Sequence, residues 1–84
     1  MRYSVRWLPG AEQELAALWM GRDKRAAVTS AAFEMDQDLR NDPETIGESR
    51  PGGLRIHFVS PLGVSFRVSP EDRLVQVVHV WSFK

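Results

Sequence analysis

Two neighbouring segments of this 84-residue chain place arginine and histidine at alternate positions among large apolar residues. Arg55 and His57 alternate with Leu54, Ile56 and Phe58, and Arg67 lies in Val64-Ser65-Phe66-Arg67-Val68. Arg50 precedes them in a stretch rich in Gly, Pro and Ser. An arginine side chain stays protonated, and its planar fork holds phosphate or carboxylate in bidentate fashion. Histidine can move protons near neutral pH. Together these groups suit metal-free cleavage of RNA, in which a 2′-hydroxyl attacks its own phosphate and fixed cations stabilise the added charge. Arg55, His57 and Arg67 are the catalytic candidates, with Arg50 the candidate for holding substrate. Other chemistries find no support. The only histidines, His57 and His79, lie in different segments, and there is no cysteine, so neither a metal site nor a cofactor is expected. No glycine-rich phosphate loop and no serine triad motif is present.

The elements that position these residues follow from period-two alternation. Arg2-Tyr3-Ser4-Val5-Arg6-Trp7, Leu54 to Phe58 and Val64 to Val68 read as strands with one apolar face. The other face should carry Arg2, Arg6, Arg55, His57 and Arg67, and none of the three segments adds a carboxylate to it. Such a face is costly to assemble unless something anionic binds there, although solubility alone accounts for Arg2 and Arg6. If Ile56, Phe58, Val64 and Phe66 share the inner face, Arg55 or His57 lies opposite Arg67. Trp7, Trp19 and Trp81 are expected in or beside the core, with Phe83 exposed.

Pro9 suits the first turn of a helix, which runs to about Met20 with a stripe of Ala11, Leu15, Leu18 and Trp19. Gly21 ends it. Asp23 then caps a second helix with a stripe of Val28, Ala31 or Ala32, Met35 and Leu39, stopped by Asp42-Pro43. Asp36 and Asp38 belong to its solvated face. The two helices form an antiparallel hairpin that covers the inner sheet face. A loop of about a dozen residues, 42–53, leads to a three-stranded meander with turns at Ser60-Pro61 and Ser69-Pro70-Glu71-Asp72. The last strand is apolar on both sides, which marks it as central and leaves the side of His79 open.

The expected fold is therefore α+β, in the order β-α-α-β-β-β, with a largely antiparallel four-stranded sheet and one helical hairpin, forming a single domain over 1–84. The longest apolar run, Leu15 to Met20, is too short to span a bilayer, and with no cysteine the chain reads as soluble and cytoplasmic. Eleven basic residues balance eleven acidic ones, which predicts no general affinity for nucleic acid. Residues 1–46 hold six basic and eight acidic residues and 47–84 hold five and three, so the acid is concentrated in the helical part.

Local text sharpens this reading. Trp7-x-Pro9-x-Ala11-Glu12-x-Glu14-Leu15, Arg40-x-Asp42-Pro43, Gly47-Glu48-Ser49-Arg50, Pro61-Leu62-x-Val64-x-Phe66-x-Val68 and Asp72-Arg73-x-Val75-x-Val77 follow in order. With the element order, they make the chain resemble the RelE/ParE superfamily of toxins from bacterial type II toxin-antitoxin systems. The resemblance implies a toxin that arrests growth when free and is neutralised by a cognate antitoxin through an acidic or amphipathic segment. RelE-like members cleave mRNA on the ribosome, and ParE-like members inhibit DNA gyrase without enzymatic action. A degenerate toxin that only binds its antitoxin is the third possibility. Arg55 and His57 match the basic residues that the nuclease branch carries on the strand after the hairpin. Gly63 or Val64 stands where an arginine is expected early on the next strand, with Arg67 farther along it. The arginine and tyrosine of the nuclease C-terminal strand have no counterpart, since the only tyrosine is Tyr3.

Overall fold

In the computed structural model, which describes residues 2–21 and 25–83, strand β1 (Ser4–Trp7) is followed by helices α1 (Pro9–Trp19) and α2 (Arg25–Asn41). Strands β2 (Glu48–Arg50), β3 (Leu54–Val59), β4 (Leu62–Ser69) and β5 (Leu74–Ser82) complete the fold, with a short 3-10 turn at Pro51–Gly53. The sheet has five strands in the order β1-β5-β4-β3-β2, one more than expected, because the loop after α2 contributes β2. All neighbours are antiparallel except β1 and β5. β5 lies between β1 and β4, one strand in from the sheet edge.

Pro9 opens α1, whose end is closed by Met20 N–H donating to Ala16 O and Gly21 N–H to Leu18 O. The proposed Asp23 cap lies outside the described residues. Ala11 is fully buried, Leu15 and Leu18 pack on the core, and Val28, Ala31, Met35 and Leu39 form the buried stripe of α2. Trp19 departs from the expected stripe. It is 42% exposed, and its indole Nε1–H donates to Thr29 Oγ1 at 2.9 Å across the hairpin. An exposed tryptophan with a satisfied donor needs no place in the core.

The inner sheet face meets the hairpin with Tyr3, Leu62, Val64, Phe66, Val75, Val77 and Val80, all buried. A bulge sets this pattern. Ser65 pairs with His79 and Phe66 with Val77, so Val78 has no partner in β4. The extra residue reverses the alternation of β5, which lets Val80 face inward together with Val75 and Val77. This is why β5 reads as apolar on both sides, and it puts His79 on the outer face beside Ser65.

The register of the β3–β4 hairpin also differs from expectation. The two-residue connection Ser60-Pro61 joins Val59 to Leu62 as a pair, and this sets Phe58 opposite Gly63, His57 opposite Val64, Ile56 opposite Ser65 and Arg55 opposite Phe66. A one-residue shift turns every side chain of a strand over. Arg55 and His57 therefore face the helices, while Ile56 and Phe58 face outward. Arg67 pairs with Gln76 on the outer face, so neither Arg55 nor His57 lies opposite it. Two causes are visible. The inner edge beside β3 supplies polar partners for Arg55 and His57, and the outer face supplies an aromatic neighbourhood for Phe58.

The chain entry is held by Tyr3. Its backbone N–H donates to Arg40 O at 2.9 Å, its hydroxyl donates to Glu44 Oε2 at 2.6 Å, and the Arg73 guanidinium lies 5.3 Å from its ring centroid. The hydrogen bond to the Glu44 carboxylate, with burial and the same negative charge adding to it, holds the Tyr3 hydroxyl pKa above its usual value of 10.0. No helix among the described residues is long and apolar enough to cross a membrane.

Candidate functional site

The outer sheet face is open, and its residues fall into lanes that cross the strands. One lane is Arg6, Gln76 and Arg67, on β1, β5 and β4. Arg50 joins the same face from β2, because its partner Leu54 shares the outward parity of Ile56 and Phe58. Arg6 and Arg67 are exposed and form no ion pair with any described carboxylate. Arg50 is different, since its Nη2 lies 2.8 Å from Glu48 Oε1.

A second lane is Ile56, Ser65 and His79, with Glu48 beyond Ile56. Ser65 is only 5% exposed, and its Oγ has no hydrogen-bond partner among the described residues. His79 reaches round to α1, with Nδ1 3.4 Å from Glu14 Oε2, while Glu14 Oε1 accepts the Val80 backbone N–H at 2.9 Å. That carboxylate satisfies a donor at the part of β5 that β1 does not reach.

The third lane is Phe58, Gly63 and Trp81. Phe58 meets Trp81 edge-on at 6.1 Å between centroids and Phe83 edge-on at 5.2 Å. Gly63 makes this possible, because a Cβ there would stand 2.7 Å from Trp81 Cε2 and 2.9 Å from Phe58 Cε1. Trp81 thus packs over the open sheet face rather than in the core, and Phe58 is 49% exposed.

The remaining candidates sit on the opposite side, at the edge where β3 meets α2. His57 Nε2 lies 3.0 Å from Asp38 Oδ2, with the imidazole largely covered. A carboxylate oxygen can only accept, so Nε2 carries the proton in this pair. The Arg55 guanidinium donates to Ile46 O through Nε at 3.1 Å and Nη2 at 2.9 Å, and Nη2 also lies 3.4 Å from Gly47 O. Gly47, at φ 73°, allows the loop to come this close, since a side chain there would collide with the Ile56 carbonyl.

The structure thus brings Arg55 and His57 together on the helix side and places Arg67 and Arg50 on the outer face. The expected cluster of Arg55, His57 and Arg67 is divided between two faces by the register. Arg2 precedes β1 and is exposed without belonging to a strand. Asp38 was expected only as part of a solvated helix face, although its place next to inward Leu39 hinted that it could reach the sheet edge. Ser65 gave no sign of its burial, because the bulge that sets its neighbours leaves no mark in composition. Among the described residues no three His, Asp or Glu side chains gather in a group that could hold a metal ion.

The outer face joins two cations without an ion-pair partner among the described residues to a patch of three aromatic rings. Exposed cations on one sheet face attract an anionic chain, and aromatic rings stack on apolar side chains or bases. The face therefore has the composition of a binding surface.

No family model matches the sequence, and comparison with curated proteins finds no match. Solved structures do match. A chain of the toxin-antitoxin complex RelBE2 from Mycobacterium tuberculosis superposes with a TM-score of 0.81 at 19% identity, covering 98% of this chain and 92% of that one. A chain of the chromosomal ParDE toxin-antitoxin system from P. aeruginosa gives 0.73 at 20% identity, covering 98% and 97%. The isolated E. coli RelE toxin gives 0.62 at 15% identity, covering 98% and 85%. The likeness runs along almost the whole chain, and the protein has the α+β fold of the RelE/ParE-like structures it matches.

Proposed function

We propose that this chain is the toxin of a bacterial type II toxin-antitoxin pair, acting in the cytoplasm, and that its outer sheet face is the working surface. The observation that carries the reading is the likeness to chains of toxin-antitoxin complexes over 98% of the sequence. The cognate antitoxin would lay an acidic or amphipathic segment across Arg6, Gln76 and Arg67, with apolar side chains against Phe58 and Trp81. Charge complementarity supports this, because Arg6 and Arg67 have no carboxylate partner among the described residues.

As to the target, one reading is ribosome-dependent mRNA cleavage through Arg55, His57 and Arg67, with Arg50 on the substrate. The chemistry of these side chains supports it, but their geometry favours binding over cleavage. Arg55 is already spent on the carbonyls of Ile46 and Gly47, and His57 on Asp38. A second reading, non-enzymatic inhibition of DNA gyrase, draws on the same observation, since it needs a surface and no reacting group. A toxin that only binds its antitoxin would need no more.

Induction of the chain alone in a bacterium, followed by mapping of mRNA ends and of plasmid topology, separates these readings. New mRNA ends that disappear in Arg55→Ala/His57→Ala while folding is preserved support cleavage, relaxed plasmid supports gyrase inhibition, and normal growth leaves antitoxin binding alone. Failure of the chain to co-purify with the product of the adjacent small gene, together with normal growth, would count against the toxin reading itself.

A further inference from the structure

Strand β5 consists of two halves with different neighbours. Residues 74–77 lie between β1 and β4, whereas β1 ends at the Trp7–Val77 pair and leaves 78–82 with β4 on one side only. The register shift falls at the same place, with Val78 unpaired in β4. The second half carries two outer-face residues, His79 and Trp81, and Trp81 is a ring that Phe58 meets edge-on. The end of the strand is tied where the Phe83 backbone N–H donates to Pro61 O at 2.9 Å. Between the bulge and that tie, no strand holds the open edge of β5.

A strand half paired on one side only leaves backbone donors without partners and opens more readily than one paired on both. Glu14 of α1 fills this gap. Its Oε1 accepts the Val80 backbone N–H at 2.9 Å, as the carbonyl of a further strand would, and its Oε2 lies 3.4 Å from His79 Nδ1. One carboxylate thus holds two consecutive residues, an inward-facing valine through its backbone and an outward-facing histidine through its ring. Among the described residues no other side chain of α1 hydrogen-bonds to the sheet. Val80 is buried, so its amide has little access to water as a substitute partner.

We propose that Glu14 is a positioning residue for the outer sheet face, clamping the free half of β5 so that Trp81 and His79 are held in place for a partner. Glu14 belongs to α1 and to none of the lanes of that face, so it acts through β5. Trp81 transmits the effect, because its ring fits closely over Gly63, where a Cβ would stand 2.7 Å from Cε2. A small turn of the strand half therefore moves the ring away from Phe58. The effect on affinity rests on the outer face being the antitoxin surface, whereas the effect on β5 rests on geometry alone.

Amide hydrogen exchange on Glu14→Ala and Glu14→Gln tests the clamp, and titration calorimetry with the product of the adjacent small gene tests its effect on binding. Glu14→Ala should speed exchange at residues 80–82 by about tenfold while 74–77 stay within about twofold of wild type, and should weaken binding by about threefold to tenfold. Glu14→Gln should stay within about threefold of wild type in both, because its amide oxygen still accepts the Val80 N–H. Exchange that rises equally in both halves of β5 overturns the proposal, since Glu14 would then only stabilise the fold as a whole. So does a Glu14→Gln variant that behaves like Glu14→Ala. Binding that is weakened by Arg6→Glu/Arg67→Glu but not by Glu14→Ala overturns the positioning role and leaves the outer-face reading standing. Normal binding by both overturns the two together.

Discussion

His57 and Asp38 join strand to helix through one hydrogen bond of 3.0 Å, the imidazole from β3 and the carboxylate from the last turns of α2. The pair sits at the rim of the sheet, where the core thins and a charged side chain can keep part of its hydration. It gives His57 a structural task. The double-mutant cycle of His57→Ala and Asp38→Ala, read from urea unfolding at neutral pH, should give a coupling of about 1 kcal/mol. Additive single effects would show that the two side chains do not act together.

Arg55 performs a similar task for the segment before β2. Its two donors to Ile46 O hold that segment against β3, so Arg55→Ala should lower stability by about 1 to 3 kcal/mol. Hydrogen exchange should show the added mobility in residues 44–50 first. Unchanged protection there would contradict the assignment.

Tyr3 is the only tyrosine, so its ionisation can be followed by tyrosinate absorbance. Its hydroxyl pKa is raised by the bond to Glu44, which means that the folded chain holds this proton more tightly than the unfolded chain. The resulting stabilisation is fully present below the unfolded pKa, near 10, and is lost as pH rises through the folded value. Wild type should therefore lose stability as pH rises from near 10 through the folded value, and Tyr3→Phe should lose less. Glu44→Gln should move the absorbance midpoint down towards that of the chain in urea.

Gly63 is the one position where the outer face cannot accept a side chain without moving Trp81. Gly63→Ala should shift Trp81 off Phe58 and cost about 1 to 3 kcal/mol. Of the three tryptophans, only Trp81 should change its environment, which Trp81→Phe in the Gly63→Ala background identifies in the emission spectrum. An unaltered spectrum would mean that the rings give way without leaving the patch.

How much of this was legible in the sequence depends on range. The hairpin stripes Ala11, Leu15, Leu18 and Val28, Ala31, Met35, Leu39 stand out because helical periodicity is local, and the same holds for the turn at Ser69-Pro70. The register of β3 against β4 was not legible. Leu54 to Val59 has apolar residues at both parities near its end, so either face could serve as core. The choice was made by partners distant in sequence, Asp38 for His57 and the carbonyls of residues 46 and 47 for Arg55. The bulge at Val78 was hidden for a similar reason, because an unpaired residue in an apolar run looks like any other valine. Both features act on the site, and together they separate Arg55 and His57 from Arg67.

The most direct test of the working surface is the affinity of the purified chain for its antitoxin, measured by titration calorimetry on two double variants whose folding has been checked. With the outer face as the contact surface, Arg6→Glu/Arg67→Glu should weaken binding by about tenfold to a hundredfold, with a loss that shrinks at high salt. Arg55→Ala/His57→Ala should bind within about threefold of wild type. The opposite ranking, with the outer-face variant binding normally and the inner-edge variant failing, would contradict the assignment.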